Sequence, residues 1–245
     1  ASNQKTWVVS FWMKLGNIPG TQRLLFAEFG SNYENTSGVM LESTNNNIQV
    51  KEYTTRYEND TMGDSYLRDP SAWYHILVAL DTTQTTDHNR ITIYINGVEE
   101  TYGSTSFPAE DREHSVNGAN IHKWGCGTID DEENFEGYLA EVHFFDGASI
   151  FSDDSGTANT GFNINSFGET GDYGEWKPKA YDGDAAYGTN GYYLDFADSA
   201  APGNDVSGEN NDWTNDGFTA SDQMLDTPTN NFCTMNPLSP CTNYS

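Results

Sequence analysis

The sequence predicts an all-β sandwich of two antiparallel sheets, and three observations carry that prediction. Apolar and β-branched residues recur in short runs. Clusters of Gly, Asn and Ser separate the runs at intervals of about 8–12 residues, and no segment keeps a helical 3.6-residue period beyond two turns.

The first predicted strand, Thr6-Trp-Val-Val-Ser-Phe-Trp-Met-Lys-Leu15, is aromatic and β-branched and ends at the punctuation between Gly16 and Gly20. Residues 24–29, 39–42 and 48–53 follow as shorter runs. Residues 73–80 form an apolar run long enough for a strand buried on both faces. Residues 91–98 alternate strictly and turn through Asn96-Gly97, residue types that tolerate the positive φ of a two-residue hairpin turn. Residues 135–146 close the series.

From Phe151 the composition shifts. Residues 151–190 are rich in Gly, Asp, Ser and Thr and read as a connecting region with one apolar patch, Phe162 to Phe167. A strand-like segment at 191–197 precedes a polar loop ending at Trp213, and Pro228, Pro237 and Pro240 make the rest a poor central strand. Residues 1–150 therefore read as the sandwich core. Residues 191–245 are expected to complete it, because a lone strand has nowhere to bury its apolar face.

Composition narrows the function. Lys+Arg of 11 against Asp+Glu of 37 give a net charge of −26 over 245 residues. Such a surface repels phosphate backbones and anionic lipid, so neither nucleic acid nor membrane is an expected partner. No run of 18 apolar residues occurs and Ala1 opens no signal pattern, so membrane insertion is not expected either. The 13% aromatic content argues against disorder. Cys126, Cys233 and Cys241 lack a Cys-x-x-Cys spacing, which argues against structural zinc. Cys233 and Cys241 are placed either to close a small terminal disulfide or to remain two thiols, and Cys126 is expected buried as a small apolar residue.

Two stretches carry a resemblance. Trp73-Tyr-His-Ile-Leu-Val-Ala-Leu-Asp81 with Ile91-Thr-Ile-Tyr-Ile-Asn-Gly-Val98 resembles the central hairpin of the concanavalin A-like (laminin-G/pentraxin-type) jelly roll. Phe135-Glu-Gly-Tyr-Leu-Ala-Glu-Val-His-Phe-Phe-Asp146 resembles its late strand. A narrower resemblance runs through Arg68-Asp-Pro-Ser-Ala-Trp-Tyr-His75, Phe167-Gly-Glu-Thr170, Trp176-Lys-Pro-Lys179, Tyr187-Gly-Thr-Asn-Gly191 and Leu225-Asp-Thr-Pro-Thr-Asn-Asn231. In this order they look like a lectin-like domain of marine bacteriophage and related viral structural proteins, often tail fibres or appendages. The resemblance implies a non-catalytic, extracellular virion-surface domain. Its expected partners are a host-surface glycan or receptor, other virion proteins and further copies of itself. Tyr193-Leu-Asp-Phe196 and the loop Asp205-x-Ser-Gly-x-Asn-Asn211 resemble text that laminin-G-type domains carry near their start, but here it lies late in the chain.

Candidate residues fall into three groups. Tyr53, Tyr57, Tyr66 and Trp124 lie in or beside loops and are expected to offer aromatic faces to sugar rings. Asp130, Asp131 and Glu133 form one crowded set of oxygen ligands, and Asp205, Asn210 and Asp212 form another. Ca²⁺, which takes six to eight oxygens, is the cofactor such loops suit. Glu141-x-His143-x-x-Asp146 has the spacing of a laminarinase-type catalytic strand, in which paired carboxylates act about 5 Å apart. His and Asp replace the expected Asp and Glu there, so Glu141 and Asp146 serve only as glycosidase candidates behind two other readings. Those readings are a glycan- or receptor-binding module and a purely structural decoration subunit.

Overall fold

The computed structural model describes residues 2–16, 22–28, 36–53, 57–103, 105–126 and 133–230. Its strands in chain order are β1 (Thr6–Leu15), β2 (Gln22–Glu28), β3 (Thr36–Leu41), β4 (Ile48–Tyr53), β5 (Tyr57–Met62), β6 (Trp73–Asp81), β7 (Ile91–Ile95) and β8 (Val98–Glu99). They continue with β9 (Ile121–Trp124), β10 (Gly137–Asp146), β11 (Gly168–Thr170), β12 (Trp176–Pro178) and β13 (Tyr192–Leu194). A six-stranded sheet runs β13-β10-β1-β6-β7-β8 and faces a five-stranded sheet ordered β5-β4-β3-β2-β9. Each pairing is antiparallel. The sequence-based strands all appear. The run at 91–98 is the hairpin β7–β8, with Asn96 at φ 49° and Gly97 at φ 81°, the positive pair its turn requires. Residues 231–245, which hold Cys233 and Cys241, lie outside the described residues, and Cys126 is half-buried just after β9.

The core between the sheets follows the period-two pattern. Trp7, Val9, Phe11, Met13 and Leu15 point inward from β1, Ile76, Val78 and Leu80 from β6, and Ile48 and Val50 from β4. At about 25 cal/mol per Å² of apolar surface removed from water, this layer is the main stabilising term of the sandwich.

The opposite face of the six-stranded sheet is buried as well. Val8, Leu77, Ala79 and Phe145 pack under Ile150, Phe162, Ile164 and Phe167 from the chain after β10, with Tyr181 and Tyr187 at the margin. Phe145 stacks on Tyr187 at 4.5 Å and meets Phe162 edge-on at 4.9 Å. The antiparallel hairpin β11–β12 lays Trp176 across the β7–β8 turn. A Cβ at Gly97 would stand 2.4 Å from that indole, and one at Gly168 2.5 Å from its other side. The region that composition marks as a connector is therefore a cover. Its apolar residues are spaced by loop geometry rather than by a period, which is why the pattern misses it.

Two histidines lie beneath this cover. His75 contacts Ser10 Oγ through Nε2 at 2.8 Å and accepts the Trp176 indole N–H on Nδ1 at 3.1 Å. His143 pairs Nδ1 with the Tyr187 hydroxyl at 2.8 Å and lies flat on the Tyr193 ring at 4.1 Å. Burial drives both imidazoles down to about 3, and His75 is also lowered by charge repulsion from His143. They are neutral parts of the packing.

Candidate ligand-binding site

The two sheets meet along one margin, where β9 edges the smaller sheet and β13 the larger. The Trp124 indole N–H donates to the Tyr192 hydroxyl at 2.9 Å across the gap. Beside this bond lies a cavity of about 360 Å³. Leu25, Phe144 and Tyr192 give it an apolar floor, and Asn117, His122, Asn190, Asn211 and Trp213 form its polar and aromatic wall.

Asp146, the last residue of β10, holds half of that wall. Its Oδ1 accepts from the Asn3 backbone N–H at 2.8 Å and from Asn117 Nδ2 at 2.7 Å. Its Oδ2 accepts from the backbone N–H and Nδ2 of Asn190 at 3.2 and 3.1 Å. One carboxylate thus ties together the N-terminal segment, the loop before β9 and the loop before β13. Charge-assisted bonds of this kind are worth more than neutral ones. Asn117 is held at φ 67°, a conformation that Asn tolerates better than most residues, and its backbone N–H donates to His122 Nε2 at 3.0 Å. His122 Nδ1 meets the Asn120 carbonyl at 2.9 Å. Burial lowers the ring's pKa, and the Asn120 bond opposes that only in part.

Asp205 holds the other half. Its carboxylate accepts the backbone N–H groups of Tyr193, Ser207 and Asn211 at 2.8–2.9 Å, and the Ser207 hydroxyl at 2.9 Å. Burial works to raise its pKa, but the three amides and the hydroxyl outweigh it and keep the carboxyl below the ordinary range. Asp212 Oδ1 accepts the Asp205 N–H at 2.9 Å, and Asn210 turns its Nδ2 onto the Gly208 carbonyl at 3.1 Å. The loop brings Trp213 against Tyr192, edge to face at 5.1 Å, and anchors it through a 2.7 Å bond from the Trp213 N–H to the Gly203 carbonyl. A side chain at Gly203 would stand 2.0 Å from the Trp213 carbonyl, so only glycine permits this approach.

The sequence-predicted site residues are distributed differently. The aromatic quartet does not assemble into one platform. Tyr53 faces outward from β4, opposite the Tyr57 backbone on β5. Trp124 faces inward from β9, three strand spacings (about 14 Å) away, and packs on Phe11 at 5.4 Å. Tyr66 is exposed beneath the Arg68 guanidinium, 4.8 Å from its ring centre. Asp130 and Asp131 lie outside the described residues, and Glu133 is exposed at φ 57°. In the 205–212 loop the Asp205 oxygens are already filled by donors, so this loop does not fit a cation. Among the described residues no three His, Cys, Asp or Glu side chains are grouped to hold a metal.

Glu141 and Asp146 diverge. A bulge on β10, where Glu141 and Val142 together oppose Phe11 of β1, leaves Glu141 at φ 50° with its carboxyl accepting the Tyr193 hydroxyl at 2.5 Å. Burial raises the pKa of that carboxyl and nearby Asp195 adds to the rise, while the Tyr193 bond opposes it. Asp146 pairs with inward-facing Trp7, whereas Tyr193, the partner of Glu141, stacks on outward-facing His143. The two carboxylates serve opposite faces of the sheet and do not form the close pair that glycoside cleavage requires.

The fold and this edge cavity define a lectin-like sandwich. The chain belongs to the concanavalin A-like lectin/glucanase superfamily, whose family model matches residues 2–149. No curated protein matches it. Among solved structures, it resembles domain 4 of AbnA, a GH43 extracellular arabinanase from Geobacillus stearothermophilus in complex with arabinotriose, at 18% identity and TM-score 0.43 over 59% of this chain and 62% of that one. The heptameric SAP-like pentraxin of Limulus polyphemus aligns at 13% identity and TM-score 0.42 over 59% and 65%. The CBM40 of the Ruminococcus gnavus IT-sialidase, bound to α2,3-sialyllactose, aligns at 10% and 0.42 over 55% and 72%. The chain thus spans less than two thirds of the first two structures.

Proposed function

We propose that this chain is a non-catalytic glycan-binding module and that the β9–β13 edge cavity is its binding site. One observation carries the reading. The cavity combines a half-exposed tryptophan, a tyrosine and three asparagine amides, and it is held open by two carboxylates that take no part in its lining. Sugar recognition needs that combination, an aromatic face for the apolar side of a ring and fixed amides for its hydroxyls. Membership of the lectin/glucanase superfamily supports the reading, and the separation of Glu141 from Asp146 supports binding without cleavage.

The setting we infer is a virion appendage that displays several copies of the domain outside the cell and carries it to a host-surface glycan. This rests on the motif resemblance from residue 68 to residue 231. A Ca²⁺ ion held by Asp130, Asp131 and Glu133 belongs to the same proposal. A glycan array probed with the whole chain and with Trp213→Ala tests the binding reading. Selective signals that the substitution removes are expected, while an array blank for the whole chain favours the structural-subunit reading.

A further inference from the structure

The hydrogen-bonding capacity of the cavity wall is already divided in a way that specifies a ligand class. Asn117 Nδ2 donates to Asp146 Oδ1 at 2.7 Å and to the Asn3 carbonyl at 2.9 Å. Asn190 Nδ2 donates to Asp146 Oδ2 at 3.1 Å, with a longer contact of 3.4 Å to Asn117 Oδ1. Asn211 Nδ2 donates to the carbonyls of Thr189 and Gly191 at 2.9 and 2.8 Å. Carboxylate and carbonyl oxygens can only accept, so these partners dictate which end of each amide turns to the framework. The amide nitrogens are spent and the oxygens of Asn190 and Asn211 are left for a ligand, beside the hydroxyls of Ser2 and Tyr192, which can accept as well as donate. His122 is spent too, with one ring nitrogen on Asn120 and the other accepting from Asn117. No Lys or Arg lines the cavity. The Asp146 carboxylate lies directly behind the amides, on a chain of net charge −26.

We infer that the cavity selects uncharged ligands that present hydroxyl or N–H donors, such as neutral oligosaccharides, and rejects carboxylated or sulfated ones. This rests on the glycan-binding reading above. A carboxylate or sulfate has no proton to give the two amide oxygens, meets no cation in the wall, and enters against the field of Asp146 and of the whole surface. A sugar hydroxyl satisfies the acceptors and brings no charge, and its ring has an apolar face for Trp213. Asn190 is exposed and Asn211 half-buried, so each hydrogen bond that a ligand gives these oxygens is worth about two- to tenfold in affinity.

The test is calorimetric titration of the whole chain with a panel of neutral gluco-, galacto- and xylo-oligosaccharides and of sialylated, uronic and sulfated counterparts. It is run at about 50 mM and about 500 mM salt, where screening lengths differ several-fold. The expected result is neutral binding that does not change with salt and disappears in Trp213→Ala, with anionic counterparts at least about tenfold weaker at low salt. Anionic ligands that bind as tightly as neutral ones, and lose binding in Trp213→Ala, would overturn the selectivity and leave the glycan-binding reading standing. Absence of binding by every oligosaccharide would overturn both, as would binding untouched by Trp213→Ala in a variant whose melting curve is unchanged.

Discussion

The two faces of the six-stranded sheet are both buried but are built from different materials. The inner face meets the second sheet through aliphatic and aromatic residues at every second position, an arrangement that repeats along β1, β6 and β7. The outer face is covered by irregular chain, and beside aliphatic Val8, Leu77, Ile150 and Ile164 its widest contacts are rings: Phe145, Phe162, Phe167, Tyr181 and Tyr187, with two neutral histidines among them. Strand periodicity builds the first. Large flat side chains build the second, because loops without a period need few, wide contacts to bury comparable area. The family match ends at residue 149, so the cover, like β13, lies outside the matched residues.

If the two faces are energetically equivalent, Phe145→Ala should destabilise the protein as much as Phe11→Ala, by about 3–5 kcal/mol each, with a single unfolding transition in urea. A Phe145→Ala variant that keeps the main transition and gains a separate early one would make the cover a peripheral unit.

Acid should discriminate the faces next. His75 and His143 sit at about 3 when folded and near 6.5 when unfolded, so between those values the unfolded chain binds more protons. Stability from keeping them neutral is complete above about pH 6.5 and is lost as pH falls toward 3, at most about 2 kcal/mol per histidine by pH 5. The melting temperature should fall from pH 7 to 5, and the slope should flatten in the His75→Gln, His143→Gln double variant. An unchanged slope in that variant would show that the cover opens to water.

A smaller loss, about 2–3 kcal/mol, is expected for Asp146→Ala, which strands the donors of Asn3, Asn117 and Asn190. Oligosaccharide binding should disappear with it while the far-ultraviolet spectrum stays that of a β protein. The smallest effect concerns calcium. Asp205→Asn should lower the melting temperature by an amount worth about 1 kcal/mol, and equally with calcium or with chelator, because that carboxylate serves amides. Asp131→Asn tests whether any calcium response resides in the earlier loop.

Much of the sandwich was legible in the sequence, because alternation and turn chemistry act locally. β1 and β4 are delimited by their own residues, and Asn96-Gly97 declares its turn. β5 was not legible. Its inward positions are Asn59 and Thr61, polar residues buried among others such as Glu52, so its pattern reads as surface. The cavity was harder still. Asn117, His122, Asn190 and Trp213 come from four loops or edges, and nothing in their local spacing brings them together. The text from Asp205 to Trp213 reads in the sequence as a cation loop. A carboxylate that caps backbone amides and one that binds calcium look alike until the amides are placed.

The knot at Asp146 also sets a timetable for folding. It joins Asn3 to a residue 143 positions later and then to Asn190. Contacts this far apart carry a large loop-closure cost and form slowly. During synthesis the early strands can pair with one another, but the edge of β10 stays uncovered until β13 emerges, and the cavity does not exist until Trp213 has left the ribosome. Until then an unpaired strand and a bare aromatic sheet face are exposed together, the state in which nascent β proteins pair with the wrong neighbour. The dense negative charge of the chain then acts as a guard, holding nascent copies apart until the last strand closes the edge.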